Sequence, residues 1–549
     1  CGPGYCGGYG SPSLKITVAD VSVDEPKVER EIYYEGSYLS SRRYGDVVRA
    51  VIQSYSKFSG LFSPQIQWSD AWGRPYDKDE IASQLEEWEK RTEASIRNTK
   101  LGDWFPVAQQ VVNGKLVDIA PSCESYFVPD PGLADYGLTH VLSLDTASAT
   151  STLGGVTIVG AVSTVYSNAA ELVLAQPDYR WNASTDFGVV NNQQTAYHVF
   201  ALDGANTRYA ASGWLFGTLP ANNPQFGIDV AGDGTLRVAA TGWVRDQPDA
   251  KPDDAAFWNQ HTENRVLTAK IDGGKVVQTG QSEPLGHKGE TVQSARFIGE
   301  RGYVVTYRQT DPLIVLDVAS ATPKVLGEIE IPGFSQYVHP LDATHLITVG
   351  QSGKGGTQLQ LFDVTNPAKL PAPKTLDFGV GSSSEASYNH KAFTAFEDLL
   401  ALPMYGQFYT TSKRGSFKST LEVLRVNATT GFSSLASIDH SKLYADNGVG
   451  VRCGYCDVAV GDAVACYDYA CSYQPELRRG HFVKGEDGKV YVYSFSYAGV
   501  LVHALSPTTP VASVGLPAPV FNEGTWYGGG TVAVPPVLPT ATDGGVAVP

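Results

Sequence analysis

Residues 294–333 read SARFIGERGYVVTYRQTDPLIVLDVASATPKVLGEIEIPG and contain the pattern that decides the fold. Apolar and polar residues alternate in short runs, and turn residues such as Gly, Asp and Pro separate the runs. Period-two alternation bounded by turn residues is the sequence signal of β-strands. The stretch therefore predicts two consecutive hairpins that form one four-stranded antiparallel sheet.

Both hairpins recur along the chain. The hairpin of residues 313–333 has clear copies at residues 359–379 and 15–36. Weaker copies of it begin near Leu138, Ala196, Arg265, Thr420 and Val500. The hairpin of residues 294–306 recurs at residues 39–51, 165–175, 226–240, 337–349, 390–402 and 481–493. Repeated four-stranded units predict an all-β chain folded as a β-propeller of seven or eight blades.

The first hairpin, residues 15–36, has no partner hairpin directly before it in this numbering. Propellers usually complete one blade with strands from both ends of the chain. We therefore expect its partner to come either from the tail segment 521–534 or from strands upstream of Cys1.

Three segments interrupt the repeat within a propeller that we place at residues 15–516. An insertion at 68–118 contains Ile81, Leu85 and Trp88 at helical spacing, and Asp77 and Glu80 form a capping-box pattern. The insertion therefore predicts one amphipathic helix packed on the propeller. A Cys-rich excursion covers residues 452–472, a Cys/Gly-rich segment covers 1–14, and a Pro/Gly/Val-rich tail covers 517–549.

Composition excludes some functional classes. The chain of 549 residues has 41 Lys and Arg against 57 Asp and Glu, a net charge of −16, and has no basic block. Nucleic acids and anionic membranes attract clustered Lys and Arg, so neither is an expected partner. No apolar run is long enough to span a bilayer. Gly 57, Pro 32 and Tyr 29 with a single Met are typical of short strands joined by turns.

Residues 294–350 resemble a family of secreted bacterial and archaeal proteins with a C-terminal β-propeller domain. The phrases EGSYLSSRRYGDVV, GDGTLRVAATGW, SEASYNHKAF and YSFSYAGVLVHAL also match that family's pattern. The resemblance covers roughly residues 15 to 516 and implies an exported propeller. It implies no reaction and no catalytic residues. Family members usually have more sequence before the 15–36 hairpin, and the 452–472 excursion is an addition.

The cysteine pattern indicates the cellular compartment and whether the chain is anchored to a membrane. The seven cysteines are Cys1, Cys6, Cys123, Cys453, Cys456, Cys466 and Cys471. Cys1 followed by Gly2 is what a processed bacterial lipoprotein would show, and the alternative is that the numbering starts there after a cut. The last four cysteines could bind Zn as thiolates, but the resemblance to exported proteins favours two disulfides with three possible pairings. Cys6 could pair with Cys1, or with Cys123 if Cys1 carries lipid.

Polar residues at similar points of successive blades predict a ring around the propeller axis. Its members are Arg42, Arg296, His339, His390 and His481. Such a ring could hold an anion, or a metal through the three imidazoles. The alternative is that each side chain hydrogen-bonds within its own blade. Asp229 and Asp233 resemble a calcium loop only weakly, because the terminal acidic ligand is missing, and a tight turn at Asp233-Gly234 explains them better.

The sequence contains no nucleophile elbow, no zinc-protease motif and no P-loop. With the export that the resemblance implies, we expect a secreted or surface-anchored binding or scaffold protein, or an outer-membrane lipoprotein if Cys1 carries lipid, whose partners are extracellular or cell-surface proteins. No cofactor is predicted beyond structural Ca or Zn. The alternative is an enzyme that uses an axial pocket, either a polysaccharide hydrolase or lyase or a metal-dependent oxidoreductase.

Overall fold

The computed structural model describes residues 13–55, 66–70, 72–120, 122–129, 137–148, 153–178, 194–251, 254–307, 311–407, 417–440, 443, 456–457, 465–466, 477–505 and 508–516. The strands in this part of the chain form seven sheets of four or more strands and one two-stranded sheet. One of the seven has eight strands, in two four-stranded halves joined by the parallel pairing of Ser212 with Lys275. Counting these halves separately gives eight larger sheets, which we number in chain order. In each of these sheets the first strand lies at one edge, and neighbouring strands are antiparallel apart from the parallel edge strand of sheet 2.

The first four sheets carry the strands of residues 13–281. Sheet 1 comprises Ser13–Asp20, Lys27–Glu35, Ala108–Val112 and Lys115–Asp118. Sheet 2 comprises Ser37–Tyr44, Val47–Tyr55, Gly137–Asp145, Gly154–Val159 and the parallel edge strand Tyr126–Phe127. Sheet 3 comprises Thr164–Ser167, Glu171–Pro177, Gln194–Asp203 and Asn206–Phe216. Sheet 4 comprises Ile228–Val230, Leu236–Arg245, Gln260–Asp272 and Lys275–Gln281.

The other four sheets follow the same plan. Sheet 5 comprises Thr291–Ile298, Arg301–Tyr307, Asp311–Asp317 and Lys324–Ile331. Sheet 6 comprises Phe334–Pro340, His345–Gln351, Thr357–Asp363 and Lys374–Asp377. Sheet 7 comprises Ser382–Ser383, Thr394–Phe396, Leu399–Gln407, Phe417–Asn427 and Gly431–Asp439. Sheet 8 comprises Leu477–Lys484, Val490–Ser496, Gly499–Leu505 and Thr508–Gly515.

Each sheet packs face to face on the next. A separate cluster of buried apolar side chains fills every interface from sheets 1 and 2 to sheets 7 and 8. Strand periodicity explains this arrangement: Val304 belongs to the cluster shared with sheet 4, while its neighbours Tyr303 and Val305 belong to the cluster shared with sheet 6. Strands buried on both faces of successive sheets are the architecture of a β-propeller, so the predicted fold is confirmed.

Sheet 1 corrects the expectation for the hairpin at residues 15–36. Its partner is the hairpin Ala108–Val112 and Lys115–Asp118, which lies within the 68–118 insertion, because Ile32, Tyr33 and Tyr34 pair with Gln110, Gln109 and Ala108. The insertion returns to the sheet edge and satisfies its backbone groups there. The tail segment 521–534 lies outside the described residues.

The insertion also contains the predicted helix, Lys78–Arg97. Asp77 caps it, accepting hydrogen bonds from the backbone of Asp79 and Glu80, and the Glu80 side chain completes the capping box. No residue of this helix is fully buried: Ile81 and Trp88 are half-buried and Leu85 is 38% exposed, so the packing of the helix on the propeller stays a prediction. Among the described residues, no helix is long and apolar enough to cross a membrane.

The structure describes three of the seven cysteines. Cys123 is free and exposed, in the 3₁₀ turn Cys123–Ser125. Cys456 and Cys466 lie directly opposite each other in a small antiparallel pair of strands, Cys456–Asp457 and Ala465–Cys466. Cys1, Cys6, Cys453 and Cys471 lie outside the described residues. No disulfide is present in the part of the chain that is described, and the disulfide framework stays a prediction.

Candidate functional site

A loop between sheets 3 and 4 reaches across the propeller. It contains the 3₁₀ turn Pro224–Gly227, preceded by Asn223, which is buried and has a φ of 49°. Asn is one of the few residues that adopt this left-handed conformation readily. Its side chain donates to the carbonyl of Ser387 over 3.1 Å and accepts from the backbone N–H of His390 over 2.9 Å. Because sheets 5 and 6 lie between sheets 4 and 7, this bridge crosses the axial region.

Phe226 is the side chain that this loop places at the axis. Its ring lies 5.6 Å from Tyr337 and 5.0 Å from His390, in an edge-to-face arrangement with the imidazole. The guanidinium carbon of Arg296 lies 4.1 Å from the same ring centre, which is a close cation–π contact. The neighbouring Gln225 amide contacts His390 Nδ1 at 2.8 Å. An aromatic side chain therefore lies between Arg296, Tyr337 and His390 at this level.

Arg296 extends from the first strand of sheet 5, and burial lowers its pKa. Its Nη1 atom is buried and has no hydrogen-bond partner among the described residues. The carboxylate of Asp229, whose charge also acts on Arg296, is bonded to Arg237 over 3.2 Å and to the Tyr166 hydroxyl over 3.4 Å. Arg296 thus keeps an unused donor next to the axis.

Two histidines of the predicted ring are held neutral. Burial, together with the positive charges of Arg42, Lys391, Arg296 and Arg479, lowers the pKa of His390 to about 4. Burial and the charge of Arg296 lower the pKa of His339 to about 4 as well. His339 Nδ1 lies 3.2 Å from the Tyr337 hydroxyl, and its ring packs on Phe393 at 4.7 Å. Both imidazoles therefore act as uncharged hydrogen-bonding groups at neutral pH.

The four cations that act on His390 come from sheets 2, 5, 7 and 8, and we call them the axial cation cluster: Arg42, Arg296, Lys391 and Arg479. Lys391 is exposed and lies 5.8 Å from the ring centre of Tyr38. Arg479 pairs with Glu385 over 3.1 Å, and Glu385 also accepts from Arg478 over 3.4 Å. Since Glu385 is shared between two arginines, it does not neutralise the cluster.

The structure brings together four of the five predicted ring residues. The charge of Arg296 acts on both His339 and His390, and the charge of Arg42 acts on His390. These four side chains therefore lie near one another. His481 is exposed opposite Tyr493 in sheet 8, and no described hydrogen bond, ion pair or ring contact connects it to the others. Sequence reasoning missed Asn223, Phe226, Lys391 and Arg479. The Asn-Pro pair at residues 223–224 was the available signal, since Pro favours the first position of a helical turn.

The two aspartates considered for calcium have protein partners. Asp229 pairs with Arg237, and Asp233 accepts from the backbone and hydroxyl of Thr235 and pairs with Lys270 over 3.3 Å. Gly234 has a φ of 77° in the turn that Asp233 begins. The described residues hold no group of three or more His, Cys, Asp and Glu positioned for a metal ion. The segment that contains Asp233 and Gly234 therefore forms a hydrogen-bonded turn.

Comparisons with known proteins agree with this fold. The family model described as a beta propeller domain matches residues 5–464. An uncharacterised protein of Methanocaldococcus jannaschii is 42% identical over 91 residues, which is 16% of this chain and 14% of that protein. An uncharacterised protein of Archaeoglobus fulgidus is 40% identical over 107 residues, which is 19% of this chain and 17% of that protein. The chain thus spans less than a fifth of the length of either relative.

Solved structures give more distant likenesses. A periplasmic gluconolactonase of Pseudomonas aeruginosa has a TM-score of 0.34 at 11% identity, covering 76% of this chain and 93% of that one. Sqt1 of Chaetomium thermophilum has a TM-score of 0.35 at 11% identity, covering 71% and 86%. The family model covers most of the chain, and the chain belongs to the β-propeller domain family.

Proposed function

We propose that this chain is an extracellular or surface-anchored binding protein, and that its axial cation cluster holds an acidic segment of a partner protein. One observation carries the proposal. The axial cation cluster lies beside His390, because the Arg296 guanidinium stacks at 4.1 Å on the Phe226 ring that contacts His390, and Lys391 follows His390 in the same turn, although the chain as a whole has a net charge of −16. An acidic protein repels acidic partners in general, so a local positive cluster selects where such a partner can dock.

The chemistry of the cluster suits carboxylates. Arg296 is largely withdrawn from water, so its field is screened less than that of an exposed arginine. Its buried Nη1 lacks a partner in the described structure and could donate a charge-assisted hydrogen bond to a carboxylate oxygen. The exposed Lys391 would supply steering at the rim. A partner with several Asp or Glu side chains would use both the inner and the outer cations.

The packing of the axis supports binding over the enzymatic alternative. The hydrolase, lyase or oxidoreductase of the alternative would use an axial pocket, and the Phe226 ring takes up space at this level between Arg296, Tyr337 and His390. The resemblance to exported propellers supports a location outside the cell. A scaffold in a cell-surface assembly, as expected from the sequence, agrees with the packing at the axis and with a location outside the cell.

The test uses a fluorescent octaglutamate peptide and anisotropy titrations at low salt. We expect binding that weakens steeply between about 50 mM and about 300 mM NaCl, as for exposed charges. Lys391→Gln should weaken the affinity about fivefold, equivalent to ~1 kcal/mol. The matched control is Lys15→Gln, because Lys15 also lies over a tyrosine, with its Nζ 5.6 Å from the Tyr33 ring centre, but belongs to sheet 1. Equal effects of the two substitutions would contradict the proposal.

A further inference from the structure

A cleft of about 710 Å³ opens where the turns of sheets 4 and 5 meet. Its walls come from the turn at residues 229–237, from Gly299 and Glu300, and from the turn at residues 318–321, with Lys270 and Thr279 completing the lining. Apart from Asp229, these residues do not belong to the axial site. The volume lies within the range of sites for small ligands.

A buried arginine lines this cleft without using all its donors. The side chain of Arg237 is 7% exposed, and its Nη1 donates to Gly299 O over 2.7 Å and to Asp229 over 3.2 Å. Its Nε atom is buried and has no partner among the described residues. A buried donor without a partner costs free energy, so such a group commonly awaits a water or a ligand oxygen.

The other lining groups restrict what the ligand can be. The apolar lining consists of small side chains, including Val230, Val318 and Ala319, and has no aromatic ring, which disfavours an apolar ligand. Asp229, Asp233 and Glu300 outnumber Arg237 and Lys270, which disfavours a simple anion. Carboxylates accept hydrogen bonds, while Arg and Lys donate them. A ligand with several groups that each donate and accept hydrogen bonds suits this mixture of carboxylates and cationic side chains.

We propose that the cleft binds a neutral saccharide of one or two rings, with hydroxyl groups that contact the carboxylates and the guanidinium and ammonium groups of its lining. Hydroxyl groups suit the site because each can donate to a carboxylate and accept from Arg237 or Lys270. The inference is independent of the axial site, so either can fail without the other.

The test is calorimetric titration of the full chain with glucose, galactose, mannose, maltose and lactose. Glycine and sulfate serve as zwitterionic and anionic probes. Ala319→Tyr places a ring in the cleft at an exposed position, and leaves the Arg237–Asp229 pair intact. Ala147→Tyr is the matched control, because the backbone N–H groups of Ala147 and Ala319 both donate over 2.9 Å to the aspartate two residues earlier.

We expect at least one saccharide to bind the native chain and Ala147→Tyr equally, and Ala319→Tyr to lose about tenfold or more in affinity. Arg237→Lys retains a positive charge but replaces the planar guanidinium in the cleft wall, so it should also weaken binding. Three results would overturn the proposal: no heat with any saccharide, saccharide binding that Ala319→Tyr retains, or binding of glycine or sulfate alone.

Discussion

The backbone N–H of His390 donates to the side-chain oxygen of Asn223 over 2.9 Å, although the two residues lie 167 positions apart. The same Asn side chain donates to Ser387 O, so one residue fixes the loop of sheet 7 to the loop between sheets 3 and 4. This bridge positions Phe226 under Arg296 and His390. Asn223 therefore fixes the Phe226 loop relative to His390.

Asn223→Ala should destabilise the protein by about 2–3 kcal/mol, because it removes two buried hydrogen bonds and leaves an alanine at positive φ. Urea unfolding followed by fluorescence measures the change. The neighbouring Asn222→Ala is the control and should change the unfolding free energy by less than about 0.5 kcal/mol. Equal losses at the two positions would show that the cross-axis bonds contribute nothing specific.

Phe226→Leu should destabilise by about 1–2 kcal/mol, because the partly buried ring loses packing and its cation–π contact with Arg296. The same variant should raise the affinity for octaglutamate, since Arg296 no longer has an aromatic partner. Urea unfolding and the anisotropy titration measure the two effects separately. Unchanged stability would mean that Phe226 does not pack between Arg296, Tyr337 and His390.

Acid should destabilise the fold through buried histidines. His140 bonds Ser54 and Thr157, and His440 bonds Ser494 and Ser496, all through ring nitrogens at 2.7–2.8 Å. Burial lowers the pKa of His140 to about 3 and that of His440 to about 4. Both folded-state pKa values lie below the unfolded value of about 6.5, so the unfolded chain binds protons first as the pH falls.

The stability contributed by these histidines is complete above about pH 6.5 and decreases as the pH falls toward about 4. At pH 5 the loss should be about 2 kcal/mol for each histidine. Urea unfolding at a series of pH values between about 8 and 5 measures it, in a window above the titration of most carboxyl groups. A free energy of unfolding that stays constant across that window would contradict the assignment.

The capping box should stabilise its helix locally. Asp77→Ala removes the cap and should destabilise the helix by about 1 kcal/mol. Hydrogen exchange should accelerate in residues 78–84 while the global melting temperature stays the same, because no residue of the helix is buried. Asp79→Ala, in the same first turn, is the control and should have a smaller effect. A lower global melting temperature would show that the helix is coupled to the propeller.

The cysteine pairing of the 452–472 excursion is also testable. Cys456 and Cys466 are directly opposite in an antiparallel pair, where Cα atoms lie about 4.5–5.5 Å apart, within the range that a disulfide spans. Among the three pairings, we predict Cys456 with Cys466 and Cys453 with Cys471. Peptide mass mapping without reductant identifies the linked peptides. Any other linkage between these four residues would exclude this pairing.

Local periodicity was sufficient to predict the propeller, while the ligand ring stays a prediction. Arg42, Arg296, His339 and His390 were found because repeated hairpins place equivalent positions near one axis. The roles of Asn223 and Phe226 were not predicted, because they depend on which loops face each other after the sheets assemble. The partner of the 15–36 hairpin was missed for the same reason, because β-pairing between distant segments leaves no local pattern. The capping box predicted the helix, but burial of its apolar face depends on tertiary contacts.

Hydrogen–deuterium exchange with and without octaglutamate tests the central claim most directly, because it locates the bound peptide. We predict slower exchange in residues 37–44, 223–227 and 385–393, which surround the axial cation cluster, and unchanged exchange in residues 318–321 at the cleft. Protection confined to other segments, or no protection at a saturating peptide concentration, would contradict the account.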